Sequence, residues 1–182
     1  MKNKNILIGI TGGIAAYKVC DLINILRKEG ANVKVIMTEA AEKFITPLTI
    51  QTLTSNPVYT DLFINILEAE VEHIALAEWA DLMVVAPASA NTIGKVANGI
   101  ADNLLTTVIM AISEKTPIII APAMNTNMWN NKIVKENIRK LKNISKQYIF
   151  VNPKVGRLAC GDYGEGPLAE IKDILTAVKI NL

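Results

Sequence analysis

Two short segments limit what this chain can fold into more than any other feature. Leu82-Met83-Val84-Val85-Ala86 and Ile118-Ile119-Ile120-Ala121 are apolar at every position, and each run stops at a proline, Pro87 and Pro122. A strand with one wet face alternates apolar and polar residues, whereas a run apolar on both faces belongs in a parallel sheet covered on both sides. Residues 5–10, 32–37 and 148–151 read as three further strands. Between the first two, Ala15, Ala16, Val19, Leu22, Ile23 and Leu26 recur at helical spacing. Lys18, Asp21, Arg27 and Lys28 take the opposite side of that helix, over 14–29, and Gly30 suits its C-terminal turn. Asp102 reads as the N-cap of an apolar helix to about Ser113, and 169–180 reads as a closing helix. Residues 39–80, interrupted by Pro47 and Pro57, read as a helix, a loop and one or two short helical turns.

Buried strands alternating with helices predict an α/β fold, a three-layer doubly wound parallel sheet of flavodoxin-like or Rossmann-like type. The expectation is one domain over 1–182. Hydrophobic residues make up 51% of the chain, enough for a real core, and charged residues 20%. A net charge of +2, with Lys and Arg scattered, gives no electrostatic reason to expect nucleic acid or a membrane as partner. No uninterrupted apolar run approaches the roughly 18–20 residues that span a bilayer, and no cleavage-site pattern follows the basic start. The expected location is the cytoplasm. Two cysteines make no disulfide framework, and no Cys/His cluster has metal-ligand spacing, so no metal is expected.

In a doubly wound sheet, ligands bind beyond the carboxyl ends of the strands. Those ends carry Thr11-Gly12-Gly13, Thr38, the 87–92 loop and the 122–127 loop. Gly12 and Gly13 let backbone approach a phosphate or a ring, and the following helix start offers free N–H groups, although a plain strand-to-helix turn explains the same residues. Ser89, Asn91 and Thr92 give more polar groups than one N-cap needs. Asn125 offers both a donor and an acceptor to a carboxylate or amide. His73, the one histidine, precedes the third strand, and can reach the rim only by a loop excursion or from a neighbouring subunit. Cys160 lies among four glycines, Gly156, Gly161, Gly164 and Gly166, in a stretch that reads as a mobile flap. Cys20, on the apolar face of the first helix, reads as core filler.

His73-Ile74, Pro87-Ala88-Ser89-Ala90-Asn91-Thr92, the 122–129 stretch Pro-Ala-Met-Asn-Thr-Asn-Met-Trp and the cysteine-bearing flap occur together and in order. In this the chain resembles the homo-oligomeric, flavin-containing cysteine decarboxylases over nearly its whole length. The resemblance implies FMN as cofactor, held by Gly12, Gly13, Ile14, Thr38, Ser89, Ala90, Asn91 and Thr92, with Phe44 against the ring. It implies that Asn125 binds the substrate carboxylate, that His73 assists thiol oxidation and that Cys160 is the later proton donor. It implies decarboxylation of a small molecule, 4′-phosphopantothenoyl-cysteine, in coenzyme A synthesis, within trimers or tetramers of trimers whose sites lie between subunits. The alternatives within the family are a peptidyl-cysteine oxidative decarboxylase and a flavin-binding regulatory subunit without catalysis. Where the family commonly has Arg-Met after the last flap glycine, this chain has Pro167-Leu168. Many relatives continue into a synthetase domain, so the expectation is either a stand-alone enzyme or the excised domain of a longer one.

Overall fold

The computed structural model describes residues 1–63 and 72–182. The elements, in order, are β1 (Asn5–Ile10), a 3₁₀ turn (Ile14–Lys18), α1 (Val19–Lys28), β2 (Asn32–Met37), α2 (Glu39–Glu42), α3 (Pro47–Thr54) and β3 (Val58–Tyr59). Then follow α4 (Glu72–Trp79), β4 (Leu82–Ala88), α5 (Ala90–Ala97), α6 (Leu104–Ala111) and β5 (Ile118–Pro122). The last part comprises α7 (Thr126–Asn130), α8 (Lys132–Ile144), β6 (Tyr148–Phe150), the strand pair β7 (Val155–Arg157) and β8 (Tyr163–Glu165), and α9 (Ile171–Asn181).

Among the described residues the main sheet has six strands in the order β3-β2-β1-β4-β5-β6, all parallel. This is the doubly wound order, with the direction of winding reversing between β1 and β4. The expected three-layer parallel sheet is therefore present, with one strand more than the sequence reading gave. The addition, β3, is two residues long and half-buried, too short to leave a periodic signal. Part of the expectation for 39–80 falls on 64–71 and lies outside the described residues. The described remainder forms α2, α3, β3 and α4.

Strand alternation divides the core in two. Ile6, Ile8 and Ile10 of β1, with Leu82, Val84 and Ala86 of β4, pack under α1 and α9. Leu7, Met83, Val85, Ile118 and Ile120 face the opposite way, against α4, α5, α6 and α8. All seven positions of β4 are buried, which is why that run needs apolar residues on both faces. On the second face Gly9 leaves room for Leu105, whose Cδ1 would lie 2.4 Å from a Cβ placed there.

Two local expectations change. The helix expected over 14–29 begins as a 3₁₀ turn before α1, because its first residues are tied to the glycine loop, with Ala16 N–H donating to Gly13 O at 3.0 Å. The N-cap of α6 is Asn103 and not Asp102. Asn103 Oδ1 accepts from Thr106 N–H at 3.1 Å, and Thr106 Oγ1 accepts in return from Asn103 N–H. Asp102 instead pairs with Lys95, whose ammonium holds its carboxyl below the usual carboxylate range. Asn103→Ala is expected to cost about 1 kcal/mol of stability in urea unfolding, the ordinary loss for an N-cap. Asp102→Ala, which breaks an exposed ion pair, is expected to shift the midpoint less.

Candidate active site

The site grows from the reversal point of the sheet. β1 ends at Thr11, whose side chain is buried to 1% exposure. Thr11 Oγ1 donates to Pro87 O at 2.6 Å and accepts from Ser89 N–H at 2.9 Å. One hydroxyl thereby fixes the carboxyl end of β1 to that of β4. Ala123 N–H donates to Ala88 O at 3.1 Å and brings the end of β5 into the same frame. Ser89 then caps α5, its Oγ accepting from Thr92 N–H at 3.2 Å.

The two glycines after Thr11 have different reasons. A Cβ on Gly12 would meet Ala40 Cβ at 2.5 Å, so Gly12 lets the loop pack on α2. A Cβ on Gly13 would meet nothing within 4 Å, so Gly13 turns bare backbone to open space.

The flap is a hairpin, β7 and β8, seated on the loop after β5. Met124 N–H donates to Gly166 O at 2.9 Å, and a Cβ on Gly166 would lie 2.4 Å from Met124 O. A Cβ on Gly164 would lie 2.6 Å from Thr126 Oγ1. Only glycines allow the hairpin to sit this close. Its foot is fixed by Lys154 N–H to Pro167 O, by Gly166 N–H to Lys154 O, and by the ion pair of Lys154 with Glu170, whose carboxyl it holds below its ordinary range.

This seating delivers two side chains to one point. Asn125 caps α7, its Oδ1 accepting from Asn127 N–H at 2.8 Å, which leaves the amide nitrogen to point elsewhere. Asn125 Nδ2 donates to Cys160 Sγ at 3.5 Å, across 35 positions of sequence. Both line a cavity of about 610 Å³, in the range of small-molecule sites. Its walls are the 12–18 turn, Ser89 and Ala90, Met124, Asn125 and Met128, the flap from Arg157 to Cys160, and 166–168.

Of the residues singled out in the sequence, Gly12, Gly13, Ile14, Ser89, Ala90, Asn125 and Cys160 come together on these walls. Thr38, Phe44, Asn91, Thr92 and His73 stand outside them. Thr38 caps α2 and Thr92 is buried against Ser89. Asn91 and Phe44 are exposed, and His73 is half-buried on α4. Sequence reasoning missed Tyr17, Lys18 and Arg157, although helical spacing did put Lys18 on a polar side. Tyr17 is 58% exposed, and an aromatic at such a position carries no distinguishing signal in the sequence. Cys20 is half-buried on α1, and burial, then the charge of Asp21, pushes its thiol up. Among the described residues no group of side chains could hold a metal ion, and no helix is long and apolar enough to cross a membrane.

The family model described as Flavoprotein matches residues 1–182. The chain belongs to the flavoprotein family. Among curated members of the family, the Coenzyme A biosynthesis bifunctional protein CoaBC of Bacillus subtilis is 49% identical over 175 residues. That match covers 96% of this chain but 42% of the relative, so the chain spans less than half of the bifunctional protein. A probable phosphopantothenoylcysteine decarboxylase of Streptococcus mutans is 46% identical and is matched over 98% of this chain and 99% of its own length. Among solved structures, a PPC decarboxylase variant complexed with pantothenoylaminoethenethiol superposes with a TM-score of 0.88 at 34% identity, covering 98% of both chains. The FMN-binding protein AtHal3 does so at 0.85 and 36%, covering 98% of this chain and 96% of its own.

Thr11→Val keeps the shape of the side chain and leaves Pro87 O and Ser89 N–H without their buried partner. It is expected to lower stability by about 2 kcal/mol in denaturant unfolding, with Thr11→Ser close to the parent.

Proposed function

We propose that this chain, acting as a single domain over 1–182, is an FMN-dependent decarboxylase of 4′-phosphopantothenoyl-cysteine, which it converts to 4′-phosphopantetheine in coenzyme A synthesis. The observation that carries the reading is the meeting of Asn125 and Cys160 in a cavity whose other wall is a glycine loop. A carboxylate-binding amide and a thiol at one point are of no use to a protein that only stores flavin. The relative matched over nearly its whole length supports the same substrate.

The residues present fit FMN. Gly13 offers open backbone at the edge of the cavity, the 3₁₀ turn begins there, and Ser89 and Lys18 supply a hydroxyl and a cation for an anionic group. The wall between them is largely apolar, as a flat ring requires.

Loss of CO₂ directly from an amidated cysteine would leave a localised carbanion. Oxidation of the adjacent CH₂–SH to a thioaldehyde places C=S β to the carboxylate, so the electrons left by CO₂ spread onto sulfur as an enethiolate. FMN held by the Gly12-Gly13 loop, Ser89 and Lys18 would supply the two-electron acceptor for that oxidation and the donor for the later reduction. Asn125 Nδ2 donates to the substrate carboxylate and orients it, with its Oδ1 already held by Asn127 N–H. Cys160 gives its proton to the carbon that has lost CO₂, while hydride returns to the sulfur-bearing carbon. A peptide-modifying relative that stops at the enethiol needs no such acid, so the thiol beside Asn125 favours the redox-neutral cycle.

His73 lies outside the cavity walls of its own chain. Together with the exposed Phe44 and Leu48, this supports a homo-oligomer, a trimer or a tetramer of trimers, in which the site is completed by a neighbouring subunit and His73 assists thiol oxidation there. Thr38, Phe44 and Asn91 would meet the cofactor across the same junction, while Thr92, buried behind Ser89, would act by holding that hydroxyl. The proposed location is the cytoplasm, where coenzyme A precursors are made.

Mass spectrometry of the product from phosphopantothenoyl-cysteine tests the reading. The parent protein is expected to yield a product lighter by CO₂ alone. Cys160→Ser is expected to release CO₂ but accumulate a product two hydrogens lighter still, because a hydroxyl is a far weaker acid than a thiol. Asn125→Asp sets a like charge against the substrate carboxylate and is expected to retain flavin and lose turnover at least about tenfold. Saturated product from Cys160→Ser at the parent rate would remove the thiol from the mechanism.

A further inference from the structure

The turn after the glycine loop is 3₁₀ over Ile14–Lys18, and its burial follows that geometry. With three residues per turn, side chains at i and i+3 stand in line. Ala16, and Val19 three positions on, are fully buried in the core. Ile14 and Tyr17 form another row, and they are 59% and 58% exposed. Both line the cavity of the candidate active site, and the half-exposed Met128 of α7 lines it too. Single exposed apolar residues are ordinary. Two in line on a cavity wall, with a third beside the same space, form a surface that the contents of the cavity cover.

Two molecules enter this cavity in the reaction above, FMN and the cysteine substrate. The substrate is a narrow chain of amides whose apolar part is one branched carbon. The flavin ring system is flat, aromatic and wide enough to cover two side chains. Lys18 follows Tyr17 directly, its Nζ 5.8 Å from the phenol centroid, and lines the same cavity. A cation for a phosphate and an aromatic surface for a ring therefore stand side by side, and FMN carries both groups. We infer that Tyr17 packs its ring against the flavin ring system of FMN, continuing the row that Ile14 begins. The inference rests on FMN as the cofactor and is independent of the substrate. Packed aromatic rings attract beyond the area they bury, so Tyr17 retains the flavin as well as covering it.

The test compares Tyr17→Phe, which keeps a ring but no phenol, with Tyr17→Ala, which keeps neither, both in the FMN-loaded protein. The first readout is flavin fluorescence. A phenol in contact with an excited flavin gives it one electron and takes it back, so no light is emitted and nothing is consumed. A phenyl ring is too hard to oxidise for this. The parent is expected to be dim, and Tyr17→Phe severalfold brighter. The second readout is the rate at which FMN leaves the loaded protein on dilution, followed as free flavin appears. Tyr17→Ala is expected to release FMN about tenfold faster, with Tyr17→Phe close to the parent. A Tyr17→Phe variant as dim as the parent, or a Tyr17→Ala variant with the parent's release rate, would overturn the inference. Release that quickens only as the assembly falls to a lower mass in size-exclusion chromatography would also overturn it, and would give this row to a neighbouring subunit. A parent protein that binds no FMN would instead overturn the reading of the cofactor.

Discussion

The geometry of the site depends on one buried hydroxyl. Thr11 Oγ1 stands at the reversal point of the sheet and satisfies both Pro87 O and Ser89 N–H. Parallel strands are joined by distant crossovers, so the relative height of two loop ends is not set by any short turn. Here a side chain sets it. With β1 and β4 held together at their carboxyl ends, the glycine loop and the start of α5 face one another across a fixed gap. The β5 loop joins through Ala123 N–H to Ala88 O, and the flap joins the β5 loop through Met124 N–H to Gly166 O. The cavity is the space those four junctions leave.

Close approach is the second constraint. Gly12 against Ala40, Gly164 against Thr126 and Gly166 against Met124 O are contacts that no Cβ fits. They bring three loops near enough for Asn125 and Cys160 to touch. The flap is thus fixed at its foot and along its strands, and only its 158–162 turn projects over the cavity. Pro167-Leu168, which replaces the Arg-Met common in the family, belongs to the fixed part: Pro167 O accepts from Lys154 N–H, and Leu168 is buried in the core under α9. Arg157, carried by the flap strand β7, puts a cation on the same cavity wall as Pro167 and Leu168.

What was legible in the sequence follows from the same physics. The strands of the sheet centre were readable because burial on both faces forces apolar residues at every position, as in Leu82–Ala88. The strand β3 was not, because two half-buried residues carry no period. Helix α8 went unread for a related reason, burying only Ile138 and Leu141 in thirteen residues. Asp102 and Asn103 are both good caps, and the choice between them lies with Lys95, seven positions away and engaged with Asp102. At the site, Asn125 and Cys160 were readable because their types are poorly explained by packing, and Gly12, Gly13 and Ser89 because they stand at strand ends, where a doubly wound sheet binds its ligands. Tyr17, Lys18 and Arg157 were not, because an exposed aromatic or cation is ordinary until a cavity stands beside it. Pairings such as Asn125 with Cys160 arise from the glycine contacts and have no trace in spacing.

In the proposed reaction flavin and substrate are neighbours in one cavity, and electrons are lent and returned within a single turnover. Anaerobic mixing of the flavin-loaded protein with one equivalent of phosphopantothenoyl-cysteine, with the visible flavin absorption and CO₂ followed together, tests this directly. The predicted result is transient bleaching that recovers as one CO₂ per substrate appears. Release of CO₂ with flavin that never bleaches, or flavin left permanently reduced beside an oxidised product, would contradict it.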